Sequence, residues 1–253
     1  MSLHDPGSLS HQFSKDGYVY IPAFLNEEEL KEVEYHLSVL IREVVPQMPP
    51  EHAFYEDKND SSSLKQIQTL FTYCDFFSSM MFNSKFQELA ILLLQGNVIG
   101  RNMQFFNKPP GIGKATPAHQ DGYYFMLEPN EAVTMWLGLD HVDEENGCVR
   151  YIKASHRKGM RTHSTTQILG FSQGINNYGE DDVANEIWFT TKPGDLLVHH
   201  SLTIHRADAN RSLIRSRRAL GFIYYSERAR ENTEAKQKYQ DQLAKESRFR
   251  IPS

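Results

Sequence analysis

Two histidines and one carboxylate in this sequence are of the types needed for an open metal site. His119 and Asp121 are separated by one residue, and His205 lies far downstream, followed by several arginines. Two imidazoles and a carboxylate can occupy one face of an iron(II) ion and leave the opposite face for a cosubstrate and oxygen. An arginine shortly after the second histidine could hold the far carboxylate of a keto-acid cosubstrate. The pattern therefore indicates oxygen-activating chemistry.

The His-x-Asp pattern occurs twice, so its surroundings must decide between the copies. His141 and Asp143 also fit, and with 11 histidines in 253 residues a chance match is expected about once or less. His141 follows an apolar run and enters a charged stretch ending in Asn-Gly, which is typical of a solvated hairpin end. His119 instead precedes the aromatic stretch 122–125. An open metal site needs such a partly apolar wall, which favours the copy at His119.

The first third of the chain is predicted to be mostly helical. Tyr18–Ile21 predicts a short strand, and Asn26 with Glu29 resembles a capping box at the start of a helix. Apolar residues recur at helical spacing after this box until a cluster of prolines ends the helix. A second helix is predicted at about 86–94. The charged, serine-rich stretch 47–63 predicts a surface loop near the site.

From Val98 onward the chain consists of short, β-rich segments bounded by Gly, Pro or Asn. The predicted strands are Val98–Phe106, Val133–Leu139, Cys148–Ile152, Glu186–Thr190, Asp195–Val198 and Ala219–Tyr225. Such spacing predicts an antiparallel sandwich or barrel rather than βαβ units. Residues 157–185 have no periodic pattern and are predicted to form a lid, and residues 227–247 predict a polar helix outside the sheet.

These patterns together predict one domain over residues 1–253, mainly β with flanking helices. A helical flank covers 1–97. The β core covers 98–226 and contains the lid-like insert at 157–185. A C-terminal helix covers 227–253. The metal-binding pattern lies within the β core, which is therefore expected to position it.

Composition narrows the possible partners and compartments. The formal net charge is −5 and the pI is about 6.1, whereas binding to nucleic-acid phosphates normally needs a basic surplus. No stretch has the apolar length of a membrane span, and the first residues lack a signal-peptide pattern. Two cysteines are too few for a disulfide framework. We expect a cytoplasmic enzyme with a small-molecule substrate and with neither nucleic acid nor a membrane as partner; composition predicts no oligomeric state.

The order and spacing of several motifs resemble the phytanoyl-CoA dioxygenase family of iron(II)/2-oxoglutarate-dependent oxygenases. The matching segments are Phe13-x-x-x-Gly17-Tyr18-Val19, Pro117-x-His119-Gln120-Asp121, Val133-Thr134-Met135-Trp136-Leu137, Glu145-Asn146-Gly147-Cys148, Ser155-His156, Pro193-Gly194-Asp195-Leu196, and His205 through Arg217-Arg218-Ala219. The resemblance covers most of the chain. It implies a double-stranded β-helix (a cupin-like jelly roll) with helices against one sheet.

The resemblance also implies roles for individual residues. The iron ligands, which are the catalytic residues, would be His119, Asp121 and His205, and the cosubstrate-binding residues would be Arg217, Gln120 and Trp136. Arg215 and Arg218 are alternatives to Arg217, which alternation along the strand favours because it places Arg217 and Ala219 on one face. His199 or His200 is expected to support a ligand by hydrogen bonding.

Several further residues are candidates on the substrate side. His156 and His163 are expected to be structural or to face substrate rather than to bind metal. The substrate-facing loops would carry Lys108, His163, Asn176, Asn177, Tyr178 and Trp188.

The expected reaction is hydroxylation of an unactivated C–H bond in a small metabolite, with iron(II), 2-oxoglutarate and O2 required and succinate and CO2 released. Halogenating relatives have Ala or Gly in place of the ligand carboxylate, whereas Asp121 is present here. One alternative is a jelly-roll metalloenzyme that uses no 2-oxoglutarate, such as an epimerase or a cofactor-independent dioxygenase. Another is a non-catalytic jelly-roll binding protein. The arginine after His205 counts against the first alternative, because it would then have no obvious role, and the intact ligand set counts against the second.

Overall fold

The computed structural model describes residues 5–168 and 171–248, which form two larger antiparallel sheets, two small two-stranded sheets and a set of helices. In chain order the strands are β1 (Tyr18–Ile21), β2 (Ala53–Tyr55), β3 (Leu64–Ile67), β4 (Val98–Lys108), β5 (Thr116–His119), β6 (Leu127–Glu128), β7 (Ala132–Gly138), β8 (Val149–Ile152), β9 (His163–Ile168), β10 (Phe171–Ile175), β11 (Glu186–Trp188), β12 (Leu196–His200), β13 (His205–Ala207), β14 (Arg217–Ser226) and β15 (Arg230–Glu231). The helices are α1 (Pro6–Asp16), α2 (Glu27–Val39), α3 (Asp75–Met81), α4 (Lys85–Leu94), α5 (Gly122–Phe125), α6 (Glu180–Ala184) and α7 (Thr233–Arg248).

The larger sheet has seven strands in the spatial order β1-β12-β7-β14-β4-β3-β2, and the smaller has four in the order β11-β8-β13-β5. Strands β9 and β10 form a hairpin, and β15 pairs with β6. Every strand pair within the described ranges is antiparallel. The prediction of a mainly β protein with flanking helices is confirmed. Among the described residues, no helix is both long and apolar enough to cross a membrane.

Helix α2 begins at the predicted capping box. The Asn26 side chain accepts hydrogen bonds from the backbone N–H groups of Glu28 and Glu29 at 2.9 and 3.0 Å, and Glu29 Oε2 accepts from the Asn26 N–H at 2.8 Å. These contacts satisfy N–H groups that the first helical turn leaves without partners. The buried side chains of Val33 and Leu37 then turn toward the core.

Successive side chains of the central strands point alternately to the hydrophobic core and to the site. In β7, Val133, Met135 and Leu137 pack with the helices in the core, whereas Thr134 and Trp136 line a cavity between the sheets. Successive side chains of a strand point to opposite faces, so one strand serves both layers. Helices α1 to α4 therefore support the larger sheet from the side opposite the cavity.

The N-terminal segment is not only a helical flank. It contributes β1 to one edge of the larger sheet and β2 and β3 to the other. Helix α1 was not predicted; its N-cap, Asp5, makes no capping hydrogen bond through its side chain. Helix α3 was also missed, since its seven residues are too few to show a periodic pattern.

Residues 157–185 contain regular structure that the sequence did not predict. Strands β9 and β10 and the short helix α6 lie in this segment. Residues 169 and 170 lie outside the described part, as do 249–253 of the predicted C-terminal helix, which begins at Thr233. The lid function of the insert remains a prediction.

Candidate active site

The three candidate metal ligands meet at the ends of two paired strands. His119 ends β5, His205 begins β13, and the two residues face each other across the ladder. One donor atom from each histidine and one carboxylate oxygen of Asp121 all lie within 4.8 Å of one another. Asp121 Oδ1 is 3.4 Å from His119 Nε2 and 3.6 Å from His205 Nε2. These gaps suit three ligands around one first-row metal ion, whose bonds to nitrogen and oxygen are about 2.0–2.2 Å.

Backbone carbonyls fix the other ring nitrogen of each histidine. His119 Nδ1 lies 2.8 Å from the Pro117 carbonyl oxygen, and His205 Nδ1 lies 3.0 Å from that of Thr203. A carbonyl can only accept, so Nδ1 donates and the lone pair of the neutral ring is on Nε2, as metal binding requires. Burial lowers the pKa of His205 well below its usual value, and the nearby histidines add to this effect.

Two further groups hold the second oxygen of Asp121. Thr134 Oγ1 donates to Oδ2 at 2.6 Å, and His199 Nε2 lies 3.1 Å from the same atom. His199 Nδ1 is in turn 3.2 Å from the Tyr151 hydroxyl. Burial alone would raise the pKa of Asp121, but the surrounding imidazoles of His205, His119 and His199 outweigh burial and hold this pKa well below its usual value. An ionised carboxylate thus presents Oδ1 toward the two Nε2 atoms.

Arg217 lies in the same cavity as a buried cation with no paired anion among the residues that the structure describes. The residue is 4 % exposed, and its Nε has no hydrogen-bond partner among the described residues. Its guanidinium carbon lies 5.3 Å from the ring centre of Trp136. Burial lowers the pKa of Arg217 to about 10. Since an unpaired buried charge is costly, this arrangement suits an anionic ligand that completes the pair.

The two alternative arginines point elsewhere. Arg215 forms ion pairs with Asp143, at 2.9 Å, and with Glu145. Arg218 pairs with Asp140 at 2.7 Å and with Glu34 at 2.8 Å. Neither lines the cavity. The alternation expected along β14 therefore holds, and of the three arginines only Arg217 is placed with the candidate ligands.

Of the two residues expected beside the cosubstrate, only one lines the cavity in the structure. Trp136 lines the cavity, but Gln120 does not. The Gln120 amide donates to the carbonyl oxygens of Gly159 at 2.9 Å and Leu202 at 2.7 Å, and it accepts from the Arg161 N–H at 2.8 Å. The position of Gln120 as a cavity-lining residue is thus corrected, because its side chain is occupied in holding the segment that precedes β9.

The cavity has a volume of about 310 Å³ and a mixed lining. Besides the groups already described, its wall includes the amides Gln66, Gln68, Gln104 and Asn107 and the aromatic rings Phe106, Tyr124 and Phe125. Gln68 Oε1 accepts from Gln104 Nε2 at 2.6 Å and from Asn102 Nδ2 at 2.8 Å. A wall with both amides and aromatic rings can contact the polar and the apolar parts of a small ligand.

Four charged residues of the cavity wall were missed from the sequence: Glu56, Lys65, Lys114 and Arg206. Lys65 and Glu56 form a buried ion pair with a separation of 3.2 Å between Nζ and Oε1. Strand β3, which carries Lys65, has only four residues, and Glu56 lies in the stretch predicted as a surface loop. The sequence analysis placed that stretch near the site, and this was the signal that could have pointed to Glu56.

Most residues proposed for the substrate side have structural partners. Lys108 does line the cavity, but its Nζ donates to the carbonyl oxygens of Lys114 at 2.6 Å and Asp208 at 2.9 Å. His163 Nε2 accepts from the Gln120 N–H at 3.1 Å. The Tyr178 hydroxyl donates to Glu186 Oε1 at 2.6 Å. Of the substrate-side candidates, His163, Asn176, Asn177, Tyr178 and Trp188 are not part of the described cavity lining, and neither is His156.

The second His-x-Asp pair lies in a surface turn. His141 Nδ1 is 3.8 Å from Asp143 Oδ2, and the His141 side chain is 53 % exposed. The turn is not a hairpin end, because it joins β7 of the larger sheet to β8 of the smaller one. Asn146 is fully buried there and donates to the carbonyl oxygens of His141 and Ser216. Within the described ranges, the only group that could hold a metal is the one with His119.

Solved structures of other proteins share this fold. The epimerase SnoN from nogalamycin biosynthesis, in complex with Fe3+, alpha ketoglutarate and nogalamycin RO, superposes with a TM-score of 0.70 at 18% identity, covering 88% of this chain and 84% of SnoN. EctD from S. alaskensis with 2-oxoglutarate and 5-hydroxyectoine gives a TM-score of 0.71 at 16% identity, covering 89% and 78%. These likenesses confirm the predicted fold class.

The chain belongs to the phytanoyl-CoA dioxygenase family, whose model matches residues 13–219. Mouse peroxisomal phytanoyl-CoA dioxygenase is 25% identical over 222 residues, which cover 79% of this chain and 62% of the mouse protein. A Caenorhabditis elegans homolog of phytanoyl-CoA dioxygenase domain-containing protein 1 is 24% identical over 250 residues, covering 81% and 85%. The family resemblance seen in the sequence motifs is thus confirmed, and the chain spans less than two thirds of the mouse relative.

Proposed function

We propose that this protein is an iron(II)- and 2-oxoglutarate-dependent oxygenase that hydroxylates an unactivated C–H bond of a small metabolite. The observation that carries the proposal is one cavity holding both the His119, Asp121 and His205 group and the unpaired cation of Arg217. A metal site alone would not explain a buried arginine without an anion. A dicarboxylate that binds the metal at one end and Arg217 at the other would satisfy both features.

The residues fit an iron(II) ion in charge as well as in position. Two neutral imidazoles and one carboxylate bind such an ion on one face without sealing it. Thr134 and His199 occupy Oδ2 of Asp121, so Oδ1 is the oxygen that would bind. When bound, iron(II), 2-oxoglutarate and O2 supply oxidation of the substrate coupled to decarboxylation of 2-oxoglutarate, with succinate and CO2 as products.

Arg217 would bind the far carboxylate of 2-oxoglutarate. Its planar guanidinium can donate two parallel hydrogen bonds, which an ammonium group cannot match. Trp136 holds the guanidinium by packing against it, with 5.3 Å between the guanidinium carbon and the ring centre. The buried position keeps water from competing for the charge.

The presence of Asp121 and the size of the cavity support hydroxylation of a small molecule. A halide ligand would need the space that the Asp121 carboxylate occupies. A cavity of about 310 Å³ lies at the lower end of the usual range for small-ligand sites. We place the reaction in the cytoplasm, where two free cysteines such as Cys74 and Cys148 are common.

Two alternative functions predict different behaviour. A metalloenzyme without 2-oxoglutarate would leave Arg217 without a partner, and a non-catalytic binding protein would not need an intact set of metal ligands. SnoN is described as an epimerase, so the fold by itself does not decide between reaction types. The ligands and Arg217 in one cavity favour the oxygenase.

The test is the visible charge-transfer band of 2-oxoglutarate chelated to iron(II), recorded without oxygen. We expect the band when both are added to the folded protein. Its absence in protein with a normal circular dichroism spectrum would overturn the proposal. A screen for succinate release across a panel of small metabolites then identifies the substrate class, with Asp121→Ala as the inactive control.

A further inference from the structure

Tyr124 joins the wall of the cavity to the β9–β10 hairpin. Its ring lines the cavity and lies edge-on to His119, with 6.0 Å between ring centres. Its hydroxyl donates to the Gln173 carbonyl oxygen at 2.8 Å and accepts from the Gln173 N–H at 3.2 Å. One side chain thus contacts the candidate metal site at its ring and the hairpin backbone at its hydroxyl.

The hairpin residue that Tyr124 contacts, Gln173, lies behind the tyrosine ring rather than in the cavity. Gln173 is 3 % exposed and is not part of the cavity lining. Strand β10 lies beside β5, which carries His119 and forms the edge of the smaller sheet. The hairpin therefore acts as a support against which the Tyr124 ring is held.

The segment that carries Asp121 is tied to the same hairpin at a second point. The Gln120 N–H donates to His163 Nε2 at 3.1 Å, and His163 begins β9. The His163 ring also stacks on Tyr123, with 4.3 Å between ring centres. The hairpin therefore contacts the chain both beside the ligand Asp121 and beside the cavity wall.

We propose that Tyr124 is a positioning residue, whose hydroxyl fixes its ring against the β9–β10 hairpin and so sets the cavity wall next to His119. This role rests on the proposed oxygenase function. The hydroxyl holds the wall while substrate is present and restricts the entry of water to the metal.

The hydroxyl is not placed to donate a proton to the reaction. It donates to one backbone group and accepts from another, which uses its one hydrogen and one of its lone pairs. Burial also raises the pKa of Tyr124 above its usual value. The contacts favour a mechanical role over acid–base chemistry.

Tyr124→Phe removes the hydroxyl and keeps the ring, and Tyr123→Phe is its matched control. Tyr123 is the preceding residue, and within the described ranges its hydroxyl makes no hydrogen bond. We expect hydrogen exchange in peptides covering 163–175 to be about tenfold faster in Tyr124→Phe, because two hydrogen bonds are lost. Exchange in Tyr123→Phe should equal that of the wild type.

A kinetic measurement separates positioning from simple stabilisation. With iron(II), 2-oxoglutarate and O2 but no added substrate, we expect Tyr124→Phe to release succinate several times faster than the wild type, since a mobile wall admits water and oxygen. The half-saturating concentration of 2-oxoglutarate should stay within about twofold, because Arg217 is untouched. Tyr123→Phe should match the wild type in both measurements.

The possible failures are distinguishable. Unchanged exchange in Tyr124→Phe, or equal changes in both variants, would overturn the positioning role. So would faster exchange without a change in succinate release, which would make the hydroxyl merely structural. A wild-type protein that shows no charge-transfer band would overturn the proposed function, and the positioning role with it.

Discussion

His119 and Asp121 project from the end of a strand that pairs with the strand of His205, whereas His141 and Asp143 lie in an exposed turn between the two sheets. The two segments offer the same ligand types at the same spacing. The first has a third ligand, fixed ring nitrogens and a partly buried carboxylate, and the second has an ion pair with Arg215. A His-x-Asp pattern therefore becomes a candidate metal site only through the strands and partners that surround it.

The largest expected difference between the two segments is in metal binding. Asp121→Ala should lower iron(II) affinity and succinate formation by at least about 100-fold, because loss of a group that merely supports a ligand already costs about 10–100-fold. Asp143→Ala should leave both unchanged and reduce stability by at most about 1 kcal/mol, through its surface ion pair with Arg215. Metal titration and a succinate assay on both variants check this. The reverse outcome would assign the site to the wrong segment.

The arginines near the two segments also differ, because Arg217 lines the cavity and Arg215 pairs with Asp143. Arg217→Leu should weaken 2-oxoglutarate binding about 30-fold or more, the effect of losing one partner of a buried charge pair. The same change should stabilise the ligand-free protein, because it removes a buried cation without an anion. Arg215→Leu should have little effect on 2-oxoglutarate binding or on the stability of the ligand-free protein, since the partners of Arg215 are on the surface.

Thermal unfolding with and without 2-oxoglutarate measures both effects in the two arginine variants. In the wild type and in Arg215→Leu, added 2-oxoglutarate should raise the melting temperature. In Arg217→Leu that increase should disappear. A variant at 217 that binds 2-oxoglutarate as tightly as the wild type would refute the role of this residue.

The smallest effect concerns two histidines outside the ligand set. Burial, together with the charges of His156 and His199, lowers the pKa of His200 to about 4. The unfolded chain takes up a proton below about pH 6.5 that the folded protein rejects, so stability falls as the pH drops from about 6.5 to 4. His200→Gln should remove about 2 kcal/mol of this loss at pH 5.

The exposed His141 provides the control for this measurement. Urea unfolding of the metal-free protein at pH 7 and pH 5 gives the free energy of unfolding of each variant. His141→Gln should show the same decrease between the two pH values as the wild type. An equally steep decrease in His200→Gln would show that other groups cause the acid sensitivity.

The parts that the sequence predicted have strong local signals. The capping box at Asn26 and the alternating strands β7 and β14 depend on nearby residues, and the structure contains them near the expected positions. The choice of His119 over His141 rested on flanking composition. The structure brings the first of these to His205 and leaves the second in a turn.

Other features depend on contacts that local patterns do not record. The direction of the Gln120 side chain follows from carbonyl and N–H groups at Gly159, Leu202 and Arg161, which are distant in sequence. The Lys65–Glu56 pair forms only after β2 and β3 join the sheet. The hairpin β9–β10 was missed because neither strand shows a clear alternation of apolar and polar residues.

The direct pairing of His119 with His205 has a consequence for folding. A metal ion bound between them would join distant parts of the chain, as a covalent cross-link does, and long closures of this kind remove much entropy from the unfolded chain. A slip of β13 by one residue would turn His205 to the other face and bring Arg206 opposite His119. The ion would therefore bind tightly only to the correctly aligned sheet, so its uptake reports strand register as well as readiness for catalysis.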